Sequence, residues 1–325
     1  MLKDKKIKQA RSLHIAVAVA LLLLTACGSR RGGPALKDIP GDRPVQTVTD
    51  DLGRQVTVPL NVKRIVSTAP SVTENIFAIG AADRLVGVTT FCNYPEEAQS
   101  IAKIGDTMNP NMEAIVALKP DIVFVSTASQ IEAFTSTLEQ NGIAVYVTNP
   151  LSFSDVIEEL KKLAGILGTE DRANQVINAL IEREKTVHQA VGTYRLNGED
   201  DTAYDRRVQT VRVFLQISDE PLFTIGQGAF LNNLIEAAGG RSVTADVETA
   251  YPKLSKETAV ALKPDAIILS DSPDNQQPNE AFKNSPAVKN GRVYKINADI
   301  ISRPGPRLVD ALEQIAKDLH PEKFH

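Results

Sequence analysis

At 325 residues and 42% hydrophobic, the chain is long and apolar enough to bury two domain-sized cores, which excludes an intrinsically disordered protein. Its formal net charge of −4 argues against a nucleic-acid partner. Two cysteines and four histidines show no metal-ligand spacing, so neither a structural zinc nor a His-rich metal cage is expected.

Lys3, Lys5, Lys6, Lys8 and Arg11 precede an unbroken apolar run over 15–24, and "LTAC" closes it at 24–27. A basic segment, a short hydrophobic segment and small residues before the cut form an export signal over 1–26, too short to span a bilayer permanently. "LTAC" resembles the lipobox of bacterial lipoproteins. That resemblance implies that Cys27 is lipidated, becomes the mature N-terminus and anchors the exported chain firmly to a membrane. Removing 1–26 takes away five Lys/Arg and one Asp, which moves the formal charge from −4 to −8. Residues 27–47, rich in Gly, Pro and Arg without an apolar period, read as a flexible tether. Cys92 then has no disulfide partner in the mature body, and it is either buried as a small hydrophobe, the favoured reading, or lines a pocket.

The body starts with "VQTVTDDLGRQVTVP", whose alternating valines around Asp51-Leu52-Gly53 predict a hairpin. "RIVSTAP" (64–70) predicts a strand, 71–79 a helix, "LVGVTTF" (85–91) a strand and 113–118 a short helix. "DIVFVS" (121–126) predicts a third strand, 131–140 a helix and "IAVYVTN" (143–149) a fourth strand. Strand and helix alternating over short loops imply a parallel sheet with crossover helices, here an N-terminal lobe over 48–153.

From 154 the pattern turns helical, with an interruption at 165–169. Ala173, Val176, Ile177, Leu180, Ile181, Val187 and Val191 then follow helical spacing through one helix over 170–194. At 1.5 Å per residue it would reach roughly 37 Å and brace two lobes. After a polar loop over 195–207, a second α/β series follows within 195–325. Strands are predicted at 210–217, 265–270 and 292–297, and helices at 228–238, 255–262 and 307–320.

The hexamer VALKPD occurs at 116–121 and again at 260–265, with Glu113 and Glu257 three positions before it. Asn111 and Ser255 stand where they cap the preceding helix, and Pro120 and Pro264 stop it. The repeat therefore marks the same helix-to-strand corner in two similar lobes. By themselves Glu113 and Glu257 are first-turn carboxylates that complement a helix dipole. As a symmetric pair on a tethered two-lobe protein they also read as docking points.

In order, the hairpin, "STAPSVTENIFAIGAADRLVGVTTFCNYP", "NMEAIVALKPD", the long helix, "PLFTIGQGAFLNNLIEAAGG", "LSKETAVALKPDAIIL" and "RPGPRLVDALEQIAKDLHP" resemble the class III, helical-backbone periplasmic binding proteins of ABC importers. These carry iron-siderophores, haem and cobalamin, and the likeness is nearest to the cobalamin carriers. The resemblance implies two Rossmann-like α/β lobes with parallel sheets, joined by one bracing helix, with a ligand cleft between them. It implies a monomer without cofactor or catalytic residues that delivers a macrocyclic cargo, cobalamin or another corrinoid, to a permease dimer with its ATPase subunits. Glu113 and Glu257 match the glutamates that seat such carriers on permease arginines. Ser71, Phe91, Phe223, Tyr251, Asp299 and Arg303 match the ligand-facing positions, although Asp299 and Arg303, four apart, also fit a surface ion pair. The tryptophans that surround the corrin in well-known cobalamin carriers are missing. Thr107 and Ser126 stand at two such places and Tyr251 at a third, so haem or a ferric siderophore stays open as cargo.

An enzyme is the rival class. "GQGAF" at 226–230 lacks the complete Gly-rich phosphate pattern, no G-x-S-x-G elbow occurs, and His188 lies on the predicted bracing helix, so no nucleophile–base pair is found. A lipoprotein sensor without transport is compatible with the same two-lobe carrier.

Overall fold

The computed structural model describes residues 43–127, 131–194, 203 and 208–324, which belong to one unit. Cys27, the export signal, most of the tether and the loop 195–207 apart from Ala203 lie outside the described residues.

The alternating valines form β1 (Val45–Thr49) and β2 (Gln55–Pro59), paired antiparallel. The first strand thus begins inside the stretch expected as tether. Asp50 organises the turn: its buried carboxylate accepts the Leu52 N–H at 3.1 Å and the Arg54 N–H at 2.9 Å, while Gly53 at φ +76° closes the loop.

In the N-terminal lobe, β3 (Ile65–Ser67), β4 (Leu85–Val88), β5 (Ile122–Ser126) and β6 (Ala144–Thr148) lie in the order β4-β3-β5-β6. In the C-terminal lobe, β7 (Val211–Gln216), β8 (Gly240–Ser242), β9 (Ala266–Asp271) and β10 (Val293–Asn297) lie in the order β8-β7-β9-β10. Every neighbouring pair is parallel. Counted from its own first strand, each lobe has the order 2-1-3-4, so the sequence repeat is also a repeat of topology. The central strands are buried on both faces, as parallel sheets covered by crossover helices require.

The N-terminal helices are α1 (Pro70–Ala78), α2 (Met112–Ala117) and α3 (Ile131–Gln140). Then come α4 (Phe153–Leu167) and the bracing helix α5 (Glu170–Val191). The C-terminal lobe carries α6 (Leu231–Ala237), α7 (Lys256–Leu262), α8 (Pro286–Lys289), α9 (Ala298–Ser302) and α10 (Leu308–Leu319).

The repeated hexamer works the same way in both lobes. Asn111 and Ser255 accept the Ala114 and Thr258 N–H groups and so cap α2 and α7. Lys119 and Lys263 leave the helices in left-handed backbone, both at φ +46°. Arg64 donates to the Leu118 carbonyl at 2.7 and 2.9 Å, and Arg212 to the Leu262 carbonyl at 2.8 Å, satisfying helix-end acceptors. Asp121 and Asp265 close the corner by accepting the Arg64 and Arg212 N–H groups at the start of the first strand of each lobe. VALKPD thus ties a helix C-terminus to the neighbouring strand.

Boundaries differ from the sequence pattern: the strand expected over 85–91 ends at Val88, the helix expected over 228–238 starts at Leu231, and two helix ends shift at glycines. α4 runs through Gly165 to Leu167, and the break falls at Gly168 with φ +65°. α5 ends at Val191, not Tyr194, because Gly192 takes the left-handed cap at φ +78°. Its 22 residues span roughly 33 Å. Ala173, Ile177, Leu180, Val187 and Val191 are buried along it, whereas Ile181 is off the stripe and exposed. One apolar cluster runs from Ile76 and Leu160 through Ile177 and Leu180 to Leu312 and Ile315, so the lobes share a core through the bracing helix. Arg183 adds bonds from α5 to Asp310 at 2.7 Å and Glu313 at 2.8 Å on α10. At their exposure these ion pairs fix register more than they stabilise.

Candidate ligand-binding cleft

In parallel sheets the loops after the strand carboxyl ends are where backbone groups and side chains converge on ligands. All six sequence-predicted ligand residues lie on such segments. Ser71 follows β3 in the first turn of α1, Phe91 follows β4, Phe223 follows β7 and Tyr251 follows β8, while Asp299 and Arg303 follow β10. The two loop sets meet: Asn93 Nδ2, after β4, donates to Asp299 Oδ2 at 2.9 Å, and Arg303 reaches the Phe91 carbonyl at 3.3 Å.

Phe91 and Tyr251 are 58% and 51% exposed, one on each lobe, and are large apolar rings left in solvent. Phe223 is half-buried, pinned by bridges between its backbone and both Ser218 and Lys253. Ser71 is almost fully buried. Cys92 is also buried, its Sγ 3.2 Å from the Thr73 and Thr89 hydroxyls, which decides between the two readings in favour of burial.

Arg303 does not stand free. Asp299 Oδ1 lies 2.7 Å from its Nη2, but the pair is no surface ion pair, because the guanidinium is only 8% exposed. Its Nη1 donates to Glu74 Oε1 at 2.9 Å and to Asn93 Oδ1 at 2.7 Å. Arg307 makes a bidentate bond to the same carboxylate, Nε to Oε2 at 2.8 Å and Nη2 to Oε1 at 2.6 Å. The Tyr94 ring covers the Arg307 guanidinium at 3.9 Å. Glu74 projects from α1, so one buried carboxylate of the N-terminal lobe holds two arginines of the C-terminal lobe.

Glu113 and Glu257 are exposed in the first turns of α2 and α7. The Glu257 carboxyl is held below its ordinary value by a bond from its own backbone N–H and by Ser255. Thr107 and Ser126 are half-buried. Among the described residues no group of three or more His, Cys, Asp or Glu side chains is placed to hold a metal ion.

The profile of the Periplasmic binding protein family matches residues 65–300. The chain belongs to that family. An ABC transporter substrate-binding lipoprotein of Bacillus subtilis is 30% identical over 328 residues, covering 98% of this chain and 99% of the relative. The vitamin B12-binding protein of Vibrio cholerae is 29% identical over 259 residues, 79% of this chain and 89% of the relative. The crystal structure of the vitamin B12 binding protein BtuF of Vibrio cholerae superposes with a TM-score of 0.68 at 25% identity, over 81% of this chain and 99% of that one. A molybdate-binding protein of Haemophilus influenzae, MolA, shares the fold with a TM-score of 0.71 at 20% identity, over 86% and 92%. As a member of this family the chain is an extracytoplasmic substrate-binding protein of ABC transport, with two α/β lobes and parallel sheets.

Sequence reasoning missed Glu74, Asn93 and Tyr94; it reaches Arg307, beside Arg303, as a basic group of the site but not its pairing with Glu74. A signal existed for Glu74: an acidic side chain in a helix whose neighbours Val72, Thr73, Asn75 and Ile76 are all buried demands a basic partner. The partner's location, 229 residues further on, is a tertiary fact. Also missed was the amide network that fixes the loop after β9. Gln216 donates to Asn275 at 2.6 Å, and Asn275 returns to the carbonyls of Gln216, Ile217 and Ser270. Buried and satisfied, it holds that loop rigid.

Proposed function

We propose that this protein carries a corrinoid, cobalamin or a close relative, to an ABC permease dimer and its ATPase subunits, held at the membrane by lipid on Cys27. The observation that carries the cargo is the pair of exposed rings, Phe91 and Tyr251, on facing lobes of a cleft whose arginines are already paired. Aromatic faces suit the apolar surface of a wide macrocycle, and Asp299, 40% exposed, offers a carboxylate for its amide arms. The likeness to vitamin B12-binding proteins supports the same cargo. Tyr251 stands at one of the three indole places, and Phe91 would supply the second ring from elsewhere in the cleft.

The permease docks through Glu113 and Glu257. Two exposed carboxylates at equivalent corners of two similar lobes give a pseudo-symmetric contact, in which each ion pair adds little affinity but the separated pair fixes orientation.

Calorimetric titration of the mature chain with cyanocobalamin, with haemin and a ferric siderophore as comparators, tests the cargo. Micromolar or tighter cobalamin binding supports it; heat from a comparator alone moves the cargo to haem or iron. Retention of the Cys27→Ser chain in the membrane fraction would refute the lipid anchor.

A further inference from the structure

We propose that Glu74 sets the charge of the cleft: by neutralising Arg303 and Arg307 it makes the site select an uncharged or cationic macrocycle over an anionic one. This rests on the corrinoid reading and names the charge class of that cargo.

Two guanidinium groups at the junction of the β4 and β10 loops would ordinarily be an anion trap, since planar bidentate donors suit carboxylates. Here the trap is filled from within. The Glu74 side chain is 3% exposed, and both of its oxygens accept from arginine. Arg303 spends Nη2 on Asp299 and the Phe91 carbonyl. Two cations thus meet two carboxylates, and the cluster is neutral.

The surroundings add no net positive charge. The loops that follow β7, β8 and β9, over 217–230, 243–255 and 272–279, carry Asp219, Glu220, Asp246, Glu248 and Asp274 against Lys253. Those that follow β3 and β6, over 68–69 and 149–152, hold no charged side chain, and the segment after β4, over 89–111, carries Glu96, Glu97 and Asp106 against Lys103, whose ammonium donates to the Cys92 carbonyl at 3.3 Å and the Ala98 carbonyl at 2.9 Å. A cargo with free carboxylates would have to displace Glu74, and breaking a buried pair without replacing both partners is strongly unfavourable. An uncharged corrinoid leaves the cluster in place and meets only rings and hydrogen-bonding groups.

The substitution Glu74→Gln keeps the shape and an acceptor for the arginines but leaves the cluster with one net positive charge. Asp299→Asn does the same at a side chain that is 40% exposed and less demanding for folding. Equilibrium titration of the mature chain and both variants with haemin, which carries two carboxylates, and with uncharged cyanocobalamin reads the effect. The haemin affinity itself should rise about tenfold over the unsubstituted chain in each variant, the worth of one charge-assisted hydrogen bond, and cyanocobalamin, being uncharged, should show no such gain. An unchanged or lower haemin affinity in folded variants, checked by circular dichroism, overturns the role of Glu74, as does a failure of either folded variant to bind haemin. If Glu74→Gln does not fold, Asp299→Asn decides whether the neutrality of the shared cluster sets the selection. Binding of haemin without cyanocobalamin by the unsubstituted chain would overturn the corrinoid reading instead, and the variant-to-parent ratio for haemin would still judge Glu74 separately.

Discussion

Replacing Glu159 by Gln should remove a pH dependence of stability built into the N-terminal lobe. Glu159 lies on α4 and is 2% exposed; one oxygen accepts from Asn75 Nδ2 at 2.9 Å, and the other has no protein partner. Burial, opposed by the Asn75 bond and reinforced by Asp51, pushes its carboxyl from 4.5 up to about 8. At neutral pH the folded chain therefore holds a proton that the unfolded chain has released. The sign follows: the folded state binds more protons between 4.5 and about 8, so this group's contribution falls as pH rises through that window and levels off above it. The slope is about 1.4 kcal/mol per pH unit, on the order of 5 kcal/mol across the window. The amide introduced by Glu159→Gln has no proton to lose. Urea unfolding of parent and Glu159→Gln at pH 5 and pH 9 should give similar stabilities at the lower pH and a variant more stable by a few kcal/mol at the higher. His320, which burial holds below 6.5, favours folding less as pH falls, but it is common to both proteins and cancels in the difference. A parent–variant difference that does not change with pH would refute the reasoning.

Gly239→Ala should destabilise by about 2 to 3 kcal/mol, from left-handed strain and overpacking together. Its Cβ would lie 2.5 Å from His320 Nε2 and 2.8 Å from Val191 Cγ1 at a φ of +81°, and thermal unfolding checks the loss. Lys263→Gly should stabilise by about 0.5 to 1 kcal/mol, because relief of a left-handed lysine exceeds the added chain entropy of glycine. With Lys119→Gly, at the same φ of +46°, the gain should add, since the corners sit in different lobes. Glu113→Gln with Glu257→Gln should leave ligand affinity intact and abolish uptake in cells; retained uptake would return both residues to complementing the dipoles of α2 and α7.

The sequence by itself determined the periodic elements and their corners. Parallel strands buried on both faces read as β-branched runs, and capped helices stopped by proline read from Asn111, Ser255, Pro120 and Pro264, because those signals act within a few residues. The two-lobe plan was legible for the same reason, through a hexamer that repeats a local task. Where competing glycines offered two stops, as at Gly165 and Gly168, only the folded backbone chose: left-handed φ at Gly168 ends α4, while Gly165 stays helical. β8 and α9, at three and five residues, are too short to show a period.

In the cleft, Phe91, Tyr251, Asp299 and Arg303 were named by the resemblance to the binding-protein family; the chain order of strands puts Phe91, Asp299 and Arg303 at or after the ends of predicted strands, but not Tyr251, which follows β8. What those side chains are free to do did not follow from that order. Glu74 and Arg303 carry no mark of each other in the sequence, because an ion pair depends on distance in space and on removal from water, and both arise only when α1 packs against the segment between α9 and α10. The type of each side chain is written locally; its charge balance is written by the fold.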